Sequence, residues 1–462
     1  MKIIKIAQLG IAIAAIVLTS GCGIYKKYHT PTDTPITKEY AQALEQPVDS
    51  AAFGNLSWQS VFTDPKLAAL ISSALENNTN LRNAQLNVEI AQANLRGAKL
   101  SYLPSLALAP NGAGASYAGS DLSWSYSLPA QLSWEIDIFG KILNSKRGAQ
   151  AALLKSKAYN QAVRSQIIAG VANTYYAIAA VRSQLNLSRN TAELWKETVN
   201  TMRDLKEGGR GVTEAAVVQS AANYYSILAS IKDLEMSLDQ LNNTMSLLQN
   251  TFPQEWDVTD VVNLETPAVL RTGVPMAELA VRPDVAAAEQ DLAAAYYATA
   301  SARAAFYPGL TISVNGGFTN LLGSFVRNPG DWFYQLAGSL VAPLFSRGQN
   351  IARLQASKAQ QKQALNNFEY AILSAASEVN DALTVYEKSR EKSALLVDQI
   401  ANLEKSVEYT NDLMIYSTGS TSYLEVLTAQ QSLLNAQISQ ISTELARARS
   451  VISLYQALGG GR

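Results

Sequence analysis

The sequence predicts an α+β membrane protein in which four long β-strands are combined with long amphipathic helices, arranged as two internal repeats. Three observations lead to this fold class. One stretch alternates apolar and polar residues over an unusual length, the second half of the chain repeats the pattern of the first, and most other segments have the apolar spacing of helices. Each repeat therefore contains a strand-forming part and a helix-forming part.

The composition argues against several classes of function. The chain has 462 residues, a formal net charge of -1 and only 16% charged residues, so it lacks the basic surface of a nucleic-acid-binding protein. It contains one Cys and one His, too few for a zinc site, a disulfide framework or a Cys/His or Ser/His/Asp catalytic site. His29 lies in a Pro/Thr-rich segment and is interpreted as an exposed linker residue. We therefore expect neither an enzyme nor a metal site.

Residues 1–21 have the form of a secretory signal peptide. Two lysines precede an apolar run from Ile6 to Leu18, which is shorter than the stretch of about 20 residues that a bilayer requires. No later segment is apolar over a sufficient length to form a transmembrane helix. A membrane span in this protein must therefore be made of strands, because backbone polar groups have to be paired within lipid.

Cys22 follows Thr-Ser-Gly at the end of this signal and resembles the lipidated cysteine of a bacterial lipoprotein, although Thr19 stands where Leu is commonest. The resemblance implies that cleavage leaves Cys22 as the acylated first residue, and that this covalent lipid is the only attached group. Gly23 follows, instead of the Asp that often retains such lipoproteins at the inner membrane, which implies delivery to the outer membrane. Residues 22–57 are then a lipidated tether.

The stretch 123–139, SWSYSLPAQLSWEIDIF, has an apolar residue at every even position and a small, polar or charged residue at nearly every odd position. A period of two is that of a strand, and tilted strands need only about 9–11 residues to cross an outer membrane. Trp124 and Trp134 lie on the even face, as in the aromatic belts of membrane proteins. The odd face carries Glu135 and Asp137, which are stable beside water but costly in a core. We expect the even face to meet lipid; a soluble ribbon packed on helices is the alternative.

Three further segments complete the set of four strands. Residues 310–318 and 332–345 alternate in the same phase, and residues from about 103 to 117 do so least regularly. Turn-forming segments separate the members of each pair. The strands are thus assigned to residues 104–140 and 308–345.

The two repeats cover about 58–250 and 275–458. Pro104 matches Pro308, 204 positions later, and the offset grows to 208 towards the end of each repeat. Both halves have the order helix, two strands, long helix, turn, long helix. This order indicates a duplicated structural unit.

Helices are assigned to residues 58–103, 141–307 and 346–456. In the last helix of each repeat, apolar residues recur at alternating spacings of three and four, which is typical of a coiled-coil seam. The seams are formed by Ile227, Ile231, Leu234, Leu238, Leu241, Met245 and Leu248, and by Leu427, Leu434, Ile438, Ile441, Leu445, Ile452 and Tyr455, with Gln431 and Ala448 filling the register of the second seam. Small polar residues cover the other faces, which suits helices around a wet interior; an ordinary helical bundle is the alternative.

Four strands cannot close a membrane barrel by themselves, because single-chain outer-membrane barrels have at least about eight. Open sheet edges are not tolerated in lipid. Closure therefore requires several copies of the chain, and the strand count alone allows two copies or more.

Several motifs resemble the outer-membrane factor (TolC-like) family, most closely the lipoprotein branch that serves tripartite, RND-type efflux systems. They are WQSVFTDPKLAALISSALENNTNLRNA, the LPSL and YPGL corners, VRPDVAAAE, YSTGSTSYLEVLTAQQSLLNAQ and the C-terminal LYQALGGG. The resemblance covers essentially the whole mature chain, in both repeats. It implies a homotrimer whose twelve strands form one outer-membrane β-barrel, continuous with a long periplasmic α-helical barrel. Residues 251–273 and the termini would then be equatorial elements.

This resemblance also implies a function. The trimer would be a passive exit duct for small molecules or metal ions, driven by an inner-membrane pump through a periplasmic adaptor protein. Two alternatives are the duct of a type I protein secretion system and, less favoured, a lipid-anchored periplasmic coiled-coil adaptor. The adaptor is disfavoured because adaptors lack four long strands with aromatic faces.

The family's periplasmic gate maps onto YSTGSTSYLEVLTAQ. By this match Leu424 belongs to an apolar ring, Glu425 to an acidic ring, and Tyr416 to a latch that holds the closed state. Thr428 stands where a second acid is common. Since rings of acids favour cations, we expect a weaker cation preference here than in relatives that keep both acids.

Two tight turns interrupt the long helices and, by resemblance, dock the helical hairpin of the adaptor. They contain Gly209, Gly211 and Thr213 in the first repeat and Gly419, Thr421 and Ser422 in the second.

Overall fold

The structure is a computed structural model and describes residues 25–45, 56–116, 118–119, 121–259, 276–320, 331–416 and 423–461. The chain divides into two compact units. The first comprises Met1–Lys38, Leu86–Ala158 and Ala286–Ala371, and the second Glu39–Gln85, Tyr159–Val285 and Ile372–Arg462. Each unit thus takes segments from both repeats.

Helices dominate the described chain. The short helix α1 precedes the first repeat, the short helix α2 begins it, and the four longest helices form two pairs of about equal length. The helices are α1 (Pro35–Leu44), α2 (Trp58–Val61), α3 (Pro65–Asn77), α4 (Thr79–Leu100), α5 (Lys141–Glu207), α6 (Glu214–Leu248), α7 (Met276–Ala280), α8 (Pro283–Ala304), α9 (Gln349–Tyr416) and α10 (Tyr423–Ala457). Among the described helices, none combines the length and apolarity required to cross a membrane.

The strands form one antiparallel sheet in the first unit. They are β1 (Ser105–Leu108), β2 (Asn111–Ala115), β3 (Ser123–Ile136), β4 (Gly309–Asn320) and β5 (Asp331–Val341). The order is β1-β3-β4-β5, and β2 also pairs with β3.

β1 and β2 are two segments of one strand. Leu108 pairs with Ala130 and Asn111 with Ser127, so the two pairs are three positions apart on both strands and the register is continuous. The interruption falls at Pro110, which has no N–H to donate. The sheet therefore has four strands, as the fold class predicts.

Two strands end earlier than their alternation suggests. β3 ends at Ile136 rather than Phe139, because the Asp137 carboxylate accepts hydrogen bonds from the backbone N–H groups that begin α5, at 2.7 Å and 3.1 Å. β5 ends at Val341 rather than Phe345, two residues before Pro343. Proline removes the donor that a continued ladder needs.

The register keeps the two faces of the sheet separate across all four strands. One row on the even face runs Leu106, Leu132, Val314, Leu336. One row on the odd face runs Ala107, Gln131, Asn315, Gln335. Because side chains alternate along every strand, the apolar and polar sets predicted for each strand align on common faces.

The core of the second unit contains both heptad seams. Ile227 and Ile231 of α6 form a buried cluster with Leu434 of α10 and with Leu185 and Trp195 of α5. Three other members of the seams pack against this cluster, namely Leu234, Leu238 and Ile438. The seams thus bury the apolar stripes of the long helices, which stabilises them by the hydrophobic effect.

Candidate functional site

The even face of the sheet is a broad exposed apolar surface within the chain. Its side chains retain large exposed fractions, including 73% for Leu106, 72% for Trp332, 75% for Tyr334 and 71% for Leu336. Continuous apolar patches of this kind on a folded chain mark contact with lipid or with another macromolecule. An apolar outer face with aromatic residues is what an outer-membrane barrel presents to lipid.

The acidic residues at the base of the sheet have local partners. Lys141 donates to Glu135 over 2.8 Å, and both side chains are exposed. Asp137, as described above, caps the N-terminus of α5, where the helix dipole favours negative charge. These acids therefore sit at the junction between sheet and helix.

The residues that the family resemblance assigns to a gate lie in the first turns of α10. Leu424 is 58% exposed, Glu425 and Thr428 are exposed, and the Thr428 hydroxyl donates to the Leu424 carbonyl over 2.7 Å. All three line a groove of about 470 Å³. The facing wall comes from α9 and includes Leu403, Ser406 and Thr410. The structure thus brings these three residues together at one groove, whereas the side chain of Tyr416, the last residue of α9, lies outside what the structure describes.

The tight turn of the first repeat joins α5 to α6. Gly209 and Gly211 have φ angles of 69° and 75°, a backbone region that glycine enters without steric cost. Thr213 caps α6 by accepting a hydrogen bond from the Ala216 N–H over 3.3 Å. An ion pair between Lys206 and Glu214 closes the hairpin. Gly419, Thr421 and Ser422 of the second turn lie outside the described residues.

The N-terminal segment Tyr25–Asp33, here called the strap, is bound to the rest of the first unit by specific contacts that the sequence pattern does not predict. The Tyr25 hydroxyl donates to the Ile138 carbonyl, just beyond the end of β3. Arg147 of α5 donates to the Tyr25 carbonyl over 3.0 Å. The Tyr28 N–H donates to the Tyr297 hydroxyl of α8 over 3.1 Å.

Threonine hydroxyls continue this attachment along the chain. Thr30 donates to Glu289 of α8 over 2.6 Å, and Thr34, which follows the strap, donates to Glu369 of α9 over 2.8 Å. His29 is exposed, as expected for a linker residue. The repeated Tyr and Thr residues in YKKYHTPTDT are the only feature of the sequence that indicates these contacts. Contacts between hydroxyls and carboxylates do not recur at a fixed spacing, so the sequence does not predict their partners. Cys22 lies outside the described residues.

Arg282 also has a role that the sequence pattern does not predict. It is only 4% exposed and forms ion pairs with Asp284 and Glu378, both at 2.7 Å. It also donates to the Ala457 carbonyl over 2.6 Å. Burial alone would lower the pKa of Arg282, but the two carboxylates outweigh it and raise the pKa above its ordinary value. The guanidinium therefore holds the start of α8 to α9 and to the end of α10.

A sequence profile of the outer membrane efflux protein family matches residues 70–251 and 274–460, which correspond to the two repeats. The chain belongs to this family. CusC of Escherichia coli (strain K12), a cation efflux system protein, is 29% identical over 462 residues, covering 97% of this chain and 98% of CusC. A crystal structure of CusC superposes with a TM-score of 0.81 at 26% identity, over 94% of this chain and 99% of that one.

Two further relatives match over nearly their full lengths. SilC of Salmonella typhimurium, a probable outer membrane lipoprotein, is 27% identical over 468 residues, covering 98% of each chain. TtgC of Pseudomonas putida, the outer membrane protein of a toluene efflux pump, is 28% identical over 470 residues, covering 98% of this chain and 95% of TtgC.

These findings confirm the family suggested by the motifs, the fold class and the location. The protein is an outer-membrane efflux channel with two structural repeats, a sheet and long helices. Proteins of this family work in tripartite efflux systems with an adaptor and an inner-membrane pump.

Proposed function

We propose that three copies of this chain close their sheets into one twelve-stranded barrel, and that this homotrimer is the exit duct of a tripartite efflux pump. The two-faced sheet with open edges carries the proposal. In the described chain β1 and β2 pair only with β3, and β5 pairs only with β4, so neither side of the sheet is covered by a further strand of the described residues. Sheet edges without a neighbouring strand, beside an exposed apolar face, are incompatible with lipid unless further copies cover them.

The duct is a passive conduit, and the energy for transport comes from the inner-membrane pump. An adaptor would dock at the helical turns, with Gly209, Gly211 and Thr213 on one hairpin and Gly419, Thr421 and Ser422 on the other. The exposed Leu424, Glu425 and Thr428 would form the rings of the periplasmic gate, with Tyr416 as a latch. The support for these roles is the family resemblance and the exposure of the described members.

A lipid on Cys22 would anchor the same assembly to the membrane. The Tyr25 hydroxyl is hydrogen-bonded to Ile138 at the base of the sheet. Tyr25 lies three positions after Cys22, and an extended chain spans about 3.3–3.6 Å per residue, so the two lie within about 11 Å along the chain. The strap would therefore hold the acylated cysteine beside the edge of the apolar face. SilC, named as a lipoprotein, is consistent with this arrangement.

The cargo is proposed to be metal ions or small organic molecules, chosen by the pump rather than by the duct. CusC is named for cation efflux and TtgC for toluene efflux, and the two are almost equally similar to this chain. A shared duct architecture that serves such different cargo favours selection elsewhere in the pump.

Electrophoresis and crosslinking of the membrane-extracted protein test the proposal. We expect a species of three times the monomer mass in unheated detergent samples, which converts to monomer on boiling, and crosslinks that stop at three copies. A protein that stays monomeric in mild detergent, or that crosslinks to two copies only, would contradict the closed barrel. Cys22→Ser provides the matched test of the anchor, since metabolic labelling with palmitate should disappear in that variant alone.

A further inference from the structure

The odd face of the sheet is almost free of charged residues. Within the paired registers, Glu135 and Asp331 are the only charged residues at odd positions. They stand at opposite ends of the sheet, because Glu135 pairs with Thr311 near the base and Asp331 pairs with Thr319 at the far end. All charge on this face is therefore confined to its two rims.

The rows between the rims consist of amides, hydroxyls and small residues, apart from one uncharged row formed by Pro129, Gly317 and Phe333. One row contains Gln131, Asn315 and Gln335, and the row beside it contains Ser105, Ser133 and Ser313. Amide and hydroxyl groups both donate and accept hydrogen bonds but carry no net charge. Such a surface is well hydrated and attracts neither sign of ion.

Distance separates the middle rows from the rim charges. Gln131 lies four residues from Glu135, and Gln335 lies four residues from Asp331. At about 3.4 Å per residue, four residues span about 14 Å, which exceeds the Debye length of about 8 Å at physiological salt. Glu135 is further neutralised by Lys141 at 2.8 Å. The rim charges are thus screened at the level of the amides.

We propose that the odd face forms a charge-neutral lining of the duct within the membrane, which admits cationic, anionic and uncharged cargo alike. Charge selection in this channel then resides outside the sheet. The inference rests on the proposed function, since it requires the odd face to surround the water-filled path. It adds that the membrane section exerts no charge preference of its own.

Cysteine reactivity measures the local potential directly. The chain has one natural cysteine, Cys22, so an introduced thiol is a nearly unique reporter, and the unsubstituted protein gives the background. Gln335→Cys and Asn315→Cys place thiols in the amide row. The trimer in lipid vesicles is treated with methanethiosulfonate reagents that carry either a trimethylammonium or a sulfonate group. The ratio of their two rates is compared with the ratio for a free thiol in solution.

A neutral lining predicts that both reporters react with both reagents, and that the rate ratio stays within about twofold of the free-thiol ratio. A ratio shifted by about tenfold or more towards one sign would overturn neutrality while leaving the duct intact. Leu336→Cys, one residue along on the even face, is the matched control and should resist both aqueous reagents. If Leu336→Cys reacts and Gln335→Cys does not, the faces are reversed and the proposed duct itself fails. Gln131→Cys on β3 repeats the test if a β4 or β5 variant does not assemble.

Discussion

Asn78 and Arg282 occupy equivalent positions in the two repeats, 204 residues apart, and each ties the end of a long helix to the start of a shorter one. The Asn78 amide donates to the Leu248 carbonyl over 2.9 Å, at the last residue of α6. Arg282 donates to the Ala457 carbonyl over 2.6 Å, at the last residue of α10. Helix-end carbonyls lack intrahelical partners, so both contacts satisfy groups that would otherwise be unpaired. The duplication therefore preserved the contact while changing the side chain that makes it.

This pair predicts an order of destabilisation. Arg282→Ala should lower the free energy of unfolding by about 2–4 kcal/mol, because it removes two ion pairs and leaves buried carbonyls unpaired. Asn78→Ala should cost about 1–2 kcal/mol, since it removes one hydrogen bond and a helix cap. Lys388→Ala, which breaks an exposed ion pair with Glu391, is the control and should leave the apparent Tm unchanged. Circular dichroism melts of the purified variants give the order, and equal melting of all three would contradict it.

The hydrogen bonds of the Asp64 carboxylate should make the stability of the folded protein depend on pH. This carboxylate accepts hydrogen bonds from Tyr175 at 2.7 Å and Thr259 at 2.6 Å and caps the start of α3. Burial acts to raise the pKa of Asp64, but these hydrogen bonds outweigh it and hold the pKa below the ordinary value. A lowered folded pKa means that the stabilisation is complete above the unfolded value of about 4 and is lost as the pH falls through the folded value.

The measurement is the apparent Tm of the parent protein and of Asp64→Asn between pH 7 and pH 2.5. We expect the parent to be more stable by a constant margin above about pH 5, and the margin to shrink below about pH 4. Tyr175→Phe removes one donor, so its loss of stability should begin at a higher pH than in the parent. A margin that stays unchanged down to pH 2.5 would rule out Asp64 as its source.

The close approach of β3 to Gly317 of β4 leaves no space for a side chain at this position. A Cβ atom at this position would lie 2.1 Å from the Leu128 carbonyl oxygen and 2.8 Å from the Pro129 Cα atom, both on β3. Backbone atoms cannot yield as a flexible side chain would, so Gly317→Ala should separate β4 from β3 and greatly reduce the yield of assembled protein. Gly338→Ala on β5 is the matched control, because its Cβ meets no atom within 4 Å. Equal yields of the two variants in the outer-membrane fraction would show that the strands accommodate the methyl group.

Local periodicity explains which parts of this fold could be predicted. The faces of β3 and the seams of α6 and α10 follow from spacings of two and of three to four, which any short window of sequence contains. Asp137 and Pro343 indicate that the strands end at Ile136 and Val341. The alternation of apolar and polar residues continues beyond these ends, however, and therefore favours longer strands.

Contacts between distant residues account for what could not be predicted. Arg282 acts on Ala457, 175 residues away, and the strap acts through single hydroxyl groups such as that of Thr30. Neither leaves a pattern in the neighbouring sequence. The gate positions came from family resemblance alone, and what the structure adds is that Glu425 and Thr428 share a groove with α9.

Leu132 and Ser133 provide a paired test of the two faces. Leu132 lies in a row with Leu106 and Val314, whereas Ser133 pairs with Ser105 and Ser313. A lysine on the lipid face of a barrel costs about 2–4 kcal/mol near the membrane midplane, and a trimer would incur this cost three times. Leu132→Lys should therefore abolish assembly, whereas Ser133→Lys should be tolerated in water. Trypsin resistance of the protein in isolated outer membranes measures assembly, and the opposite result would assign the even face to water.

We expect the Glu425 carboxylate to be the source of the cation preference of the duct. Glu425 lies exposed in the first turn of α10, beside the Thr428 position where a second acid is common in the family. Because acidic rings at a constriction concentrate cations, Glu425→Gln should move the reversal potential in a potassium chloride gradient towards zero, and Thr428→Asp should move it the other way. Thr428→Asn, which is nearly isosteric with that aspartate but uncharged, is the control and should leave the potential unchanged. If Glu425→Gln keeps the parent reversal potential in planar bilayers, Glu425 lies outside the constriction and its carboxylate is simply solvated on the helix surface.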